Sequence, residues 1–163
     1  MNPLPTFALG LATIGIFAFA ALSEPASLRG QAIVTDGDTI RIGSTRVRLA
    51  GIDAPELSQK CTIPNVAVWA CGQTAKEHLQ ELIGGAEVSC ESQGKDRYAR
   101  KLAKCFVGIN NLNATMVLDG YALAYRRYST GYVWAEDYAR SAKRGIWSTD
   151  FINPEQYRRE HKR

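Results

Sequence analysis

A chain of 163 residues has room for one domain and little for a second, and no internal repeat or low-complexity segment divides it. Its formal charge of +4 is modestly basic, which suits a polyanionic partner without specifying one. The four cysteines, Cys61, Cys71, Cys90 and Cys105, match no zinc spacing, and neither His78 nor His161 lies beside one, so a zinc module is disfavoured.

Residues 1–22 carry no charged side chain and are mostly apolar from Phe7 to Leu22. This run suits a cleaved export signal, with Ala18 and Ala20 as the small residues a signal peptidase reads. A retained membrane anchor is the alternative. Residues 23–30 read as a spacer, 31–150 as the folded domain and 151–163 as a basic, solvated tail. Export implies a secreted, periplasmic or cell-envelope protein. An even cysteine count then favours disulfides. Of the three connectivities, Cys61–Cys71 with Cys90–Cys105 is preferred. The first pair closes a small loop, and the second joins two predicted neighbouring strands. Four reduced core cysteines is the alternative.

Gln31 to Val34 reads as a strand, Asp36-Gly37 as a hairpin turn, and Thr39 to Ile42 as the returning strand. A turn at Gly43-Ser44 leads to a third strand, Thr45 to Ile52. On it Val47 and Leu49 share one face, and Arg48 stands on the other. Leu57 to Gly72 reads as an irregular loop. Gln73 to Ile83 reads as a helix, with Ala75, Leu79, Leu82 and Ile83 on one stripe and His78 on the surface beside it. Glu87 to Cys90 is a fourth strand, Glu91 to Arg100 a polar loop, and Lys101 to Val107 a fifth strand. Leu112 to Leu118 and Ala135 to Lys143 are helices, the latter with Ala135, Tyr138, Ala139 and Ala142 inward. The fold class is α+β and β-rich: a small five-stranded antiparallel β-barrel capped by three α-helices.

Three polar clusters interrupt these elements. The first is Asp36-Gly37-Asp38-Thr39, the second runs from Arg48 to Asp53-Ala54-Pro55-Glu56, and the third is Asp96-Arg97-Tyr98-Ala99-Arg100. Pro55 fixes its own φ and pushes Ala54 towards an extended backbone, so Asp53 and Glu56 sit on a stiff turn. Asp38 and Asp53 can give a hard cation two carboxylates, and Ala54 a backbone carbonyl, which favours calcium or magnesium. Arg48 and Arg100 match phosphate oxygens as guanidinium forks. Glu56 is left to orient or deprotonate a water.

On these three clusters and the closing Gly145-Ile146-Trp147, the chain resembles the staphylococcal nuclease family from about Gln31 to Trp147. The resemblance implies that the barrel is of OB type and that the chain is a calcium-dependent nuclease, monomeric, that cuts DNA and RNA with little sequence specificity and prefers single strands. It implies calcium on Asp38, Asp53 and Ala54, and catalytic roles for Arg48, Glu56 and Arg100. Tyr125 and Tyr128 are similar in position to nucleotide-stacking tyrosines, although the alignment there needs a gap. Departures from the family pattern are Ala54 in place of a threonine, and Ala99 and Lys101 around Arg100 in place of glycines. A non-catalytic nucleic-acid-binding module of the cell envelope on the same barrel is the competing expectation.

Overall fold

The computed structural model describes residues 27–161. The apolar run at 1–22 and most of the spacer lie outside the described residues. Among those described, no helix is long and apolar enough to cross a membrane. Ten strands are β1 (Ser27–Asp36), β2 (Thr39–Ile42), β3 (Thr45–Leu49), β4 (Ile52–Asp53), β5 (Cys61–Ile63), β6 (Ala67–Trp69), β7 (Glu87–Lys95), β8 (Lys101–Val107), β9 (Asn110–Asn111) and β10 (Leu123–Ala124). The helices are α1 (Cys71–Ile83), α2 (Leu112–Leu118), α3 (Val133–Ser141) and α4 (Pro154–Glu160), with a short 3-10 turn at Gly145–Ser148.

Five strands close a barrel. β1 is long enough to serve two neighbours: its first half pairs with β7, and its second half pairs with β2. At the bend, Gly30 lies against Ile42, and a Cβ added there would meet Ile42 Cγ2 at 2.9 Å. β7 pairs with β8, and β8 closes the ring on β3 in parallel, with Arg48 opposite Leu102. The barrel is therefore mixed, not purely antiparallel. A parallel pair needs a long crossover, and residues 50–100, including α1, supply it. Alternating apolar residues give a strand its inward face but not its direction.

Val47 and Leu49 are buried in the core beside Ile40, Ile52, Leu79, Val88, Met116 and Val117. The buried carboxamide of Asn113 spans the seam, donating to the carbonyls of Ala50 (2.9 Å) and Ala103 (3.1 Å) and accepting from Cys105 N (2.9 Å). Both preferred disulfides are formed, Cys61–Cys71 with Cα atoms 5.7 Å apart and Cys90–Cys105 at 4.1 Å.

Several expectations need correction. Among the described residues there are four α-helices, not three. The expected irregular loop from Leu57 to Gly72 contains the β5–β6 hairpin, and the expected polar loop from Glu91 is strand as far as Lys95. Ser27 to Gly30 belong to β1, not to a spacer. In α3 the inward residues are Ala135, Glu136 and Ala139, while Tyr138 is exposed. His78 is half-buried, stacked on Tyr121 at 4.1 Å and within 3.0 Å of Asp119. Residues 151–163 were expected to be a solvated tail. Instead, Pro154 to Glu160 form a helix, with Asn153 capping it through a bond from Glu155 N (2.9 Å) and Pro154 at the first turn.

Candidate active site

The three polar clusters meet at one mouth of the barrel. The β1–β2 hairpin turns on Gly37-Asp38, and Asp36 Oδ1 accepts from Asp38 N at 3.1 Å. Gly37 allows that turn to lie against the end of β4. A Cβ there would stand 2.8 Å from Ala54 Cβ and 2.9 Å from Ala75 Cβ. Asp38 then reaches across, and its Oδ2 accepts from Ala54 N at 3.2 Å. Asp53 arrives on β4, which is held from behind by β10 through the pair Leu123–Asp53. Asp38 and Asp53 are only 4% and 2% exposed.

Arg48 bridges them. Its Nη1 donates to Asp38 Oδ1 at 2.7 Å, and its Nη2 to Asp53 Oδ1 at 2.8 Å. Two buried carboxylates share one guanidinium, an arrangement whose desolvation cost is met only by such paired, charge-assisted bonds. Burial pulls the Arg48 pKa down, but the neighbouring Asp38 and Asp53 charges outweigh it and hold that pKa above its ordinary value. Burial raises the Asp53 carboxyl, against the opposing hydrogen bond from Arg158, and leaves it above the usual carboxylate range. Burial and the nearby Asp38 push Asp36 up to about 6.

Arg100 comes from the loop between β7 and β8. Asp96 fixes it through Nε and Nη2, both at 2.8 Å, and its Nη1 lies 3.3 Å from Thr39 Oγ1, next to Asp38. Ala99 makes that loop turn at φ 60°, the left-handed backbone that glycine favours. Tyr98 stands exposed between Arg97 and Arg100, whose guanidinium carbons lie 4.8 and 5.6 Å from its ring centre. Tyr125 and Tyr128 sit edge to face, with centroids 4.9 Å apart, and Tyr128 is 70% exposed.

Glu56 occupies the more open end of the corner. Its backbone N–H donates to Gln59 Oε1 at 3.2 Å, and its carbonyl accepts from Gln59 N at 2.7 Å. The start of α1 presses against the same turn, where a Cβ at Gly72 would collide with the Glu56 carbonyl. Gln59 is buried, and sequence gave no sign of its role. A polar residue in a loop is usually solvated, and only the chain folding over it turns it into a clamp.

Sequence reading also missed Arg158. From α4 its Nη1 donates to Asp53 Oδ1 (2.9 Å) and Glu56 Oε1 (2.8 Å), and its Nη2 donates to Asp53 Oδ2 (2.8 Å). Burial pulls its pKa down, but the bonds to Asp53 and Glu56 dominate and raise it well above an ordinary arginine. The clue available in sequence was only a run of basic residues near the end of the chain.

The donor set suits a hard cation. Asp38 and Asp53 offer carboxylate oxygens drawn together by one cationic group, and among the described residues nothing donates to the neighbouring Ala54 carbonyl. Two guanidinium groups already hold positive charge against these carboxylates. Among the described residues, no group of three or more carboxylate, imidazole or thiol side chains is gathered closely enough to hold a metal by itself.

The description of staphylococcal nuclease homologues matches residues 46–149. An uncharacterized endonuclease of Haemophilus influenzae is 38% identical over 79% of this chain and 71% of its own length. The succinoglycan biosynthesis protein ExoI of Rhizobium meliloti is 35% identical over 78% of this chain and 68% of its own. The thermonuclease of Staphylococcus hyicus is 32% identical over 82% of this chain and 84% of its own.

Proposed function

The chain belongs to the staphylococcal nuclease homologues, and from that premise we propose that it is a calcium-dependent nuclease hydrolysing phosphodiester bonds of DNA and RNA with little sequence preference. The observation that carries this reading is that three separate stretches of chain bring Asp38, the Asp53 to Glu56 turn and Arg100 to one corner, with Arg48 bridging Asp38 and Asp53, Arg158 linking Asp53 to Glu56, and Arg100 reaching Thr39 beside Asp38. Asp38, Asp53 and the Ala54 carbonyl would hold the calcium. When bound, it would neutralise phosphate charge and acidify a water.

The protein's own groups divide the remaining work. Arg48 keeps the two buried carboxylates in one orientation. Arg100 enters on a fork braced by Asp96, so its guanidinium is pre-set for a phosphate oxygen before substrate arrives. Glu56 is the carboxylate with open access, and its backbone is pinned by Gln59. It therefore serves as the group that orients or deprotonates the attacking water. Tyr125 and Tyr128 offer an aromatic pair on which a base can stack, which supports single strands as the preferred substrate. The two disulfides support residence in an oxidising compartment, secreted, periplasmic or in the cell envelope, with export directed by residues 1–22.

The test is cleavage of single-stranded DNA by the mature protein with calcium, with a chelator, and beside Glu56→Ala and Arg100→Ala. Cleavage should need calcium. Each substitution should lower the rate by roughly a hundredfold or more, with melting temperature unchanged. One observation favours a second reading. Arg48 and Arg158 pair with Asp38, Asp53 and Glu56 and offset most of their charge, so a barrel that only binds nucleic acid would repel phosphate less. Salt-sensitive binding without cleavage in calcium would install that reading instead.

A further inference from the structure

The contact between α4 and the acidic corner joins residues 150–158, beyond the 46–149 segment that matches the family, to residues 53–62 within it. Its anchors are independent of Arg158. Gln59 Nε2 donates to the Ile152 carbonyl at 2.6 Å, Asp150 and Thr62 exchange two backbone bonds at 2.8 Å, and Tyr157 Oη lies 3.3 Å from Ser58 Oγ. All three anchors grip the loop that follows Glu56. They bring Arg158 over Asp53 and Glu56 with its side chain 31% exposed on the outer side.

Both Asp53 oxygens receive bonds from Arg158, and Oδ1 receives Arg48 as well. A divalent cation on the same carboxylate would place three positive groups around one charge, and like charges at such separations repel strongly where water is scarce. The guanidinium and the cation are therefore alternatives at Asp53. Exchange needs no unfolding, because the long arginine side chain can swing to solvent while the helix stays docked by its other contacts.

We propose that Arg158 is a built-in competitor for the cation of the acidic corner: it neutralises Asp53 and Glu56 in the ion-free protein and must leave Asp53 before a divalent cation binds there. This rests on the calcium reading above. It makes Arg158 a positioning residue that sets how much calcium the protein needs. Its side effect is stability, since in the ion-free protein it gives the buried Asp53 a second cationic partner beside Arg48 and pairs Glu56.

The measurement is calcium affinity by titration calorimetry on the full mature chain, comparing the native protein with Arg158→Gln and Arg158→Lys. An affinity lowered by a competing closed state recovers when that state is removed. Arg158→Gln should bind calcium about tenfold to a hundredfold more tightly, with Arg158→Lys, a cation without the fork, in between. Without calcium, Arg158→Gln should melt lower than the native protein, and the gap should close in saturating calcium. Should Arg158→Gln fail to fold, a tighter Arg158→Lys still supports the inference and an unchanged one overturns it. Calcium affinity unchanged or weakened in the variants, with calcium-dependent cleavage intact, overturns the inference and leaves the nuclease standing. No calcium binding by any of the proteins overturns both together.

Discussion

Gly37→Ala perturbs the site through packing alone. The added methyl would lie 2.8 Å from Ala54 Cβ and 2.9 Å from Ala75 Cβ, against an ordinary carbon contact of about 3.5–4.0 Å. Neither neighbour can swing away, because both are themselves methyl groups fixed to backbone, one next to Asp53 and one inside α1. The hairpin turn must therefore back off by several tenths of an ångström to about one. Overpacking of this kind costs about 1–3 kcal/mol. The same shift stretches the bond from Ala54 N to Asp38 Oδ2, already 3.2 Å long, and draws Asp38 away from Asp53. A misplacement near 1 Å can cost about a hundredfold in rate. Urea unfolding should show the loss of stability, and cleavage assays in saturating calcium should show a fall in kcat larger than any rise in KM. A Gly37→Ala protein with native stability and native kcat would refute the idea that this glycine sets the spacing of the two carboxylates.

Other substitutions test other parts of the frame. Glu136 is 1% exposed and accepts from Ala124 N at 2.7 Å, clamping β10 behind β4. Glu136→Ala should cost about 2–4 kcal/mol in urea unfolding, largely from the stranded buried N–H, and Glu136→Gln, which keeps an acceptor, less than half of that. Ala99→Gly should raise the melting temperature by a few degrees in calorimetry, because it relieves about 1 kcal/mol of left-handed strain at φ 60°. A fall instead would mean that the stiffness of Ala99 matters more than its strain. Replacing Cys61 and Cys71 together by serine opens a loop whose ends are 10 residues apart. It should cost about 2–3 kcal/mol by chain entropy and weaken cleavage, since α1 then presses less firmly on the Glu56 turn.

The sequence by itself determined the inner faces of the barrel and the two acidic corners, and it favoured the disulfide pairing that formed. Each of these is written in local chemistry. Val47 and Leu49 flank Arg48 at the period of a strand, Asp36-Gly37 demands a turn, and Pro55 stiffens the acidic corner. The stripe of α1 was legible for the same reason, down to Ala75 and Leu79. The tertiary structure decided what depends on distant chain segments meeting. The direction of β3 against β8 carries no local signature, because a pleated strand shows the same alternation beside either kind of neighbour. Nothing local marks Glu136 of α3 as buried, and it becomes so only because β10 folds onto it and offers a buried N–H. Gln59 and Arg158 looked like solvated polar groups, and they became a clamp and a resident cation only when residues 150–160 crossed back over the loop after Glu56. Side chains with long reach and flexible stems are the ones whose partners a sequence conceals most, since their positions are fixed by what arrives from elsewhere.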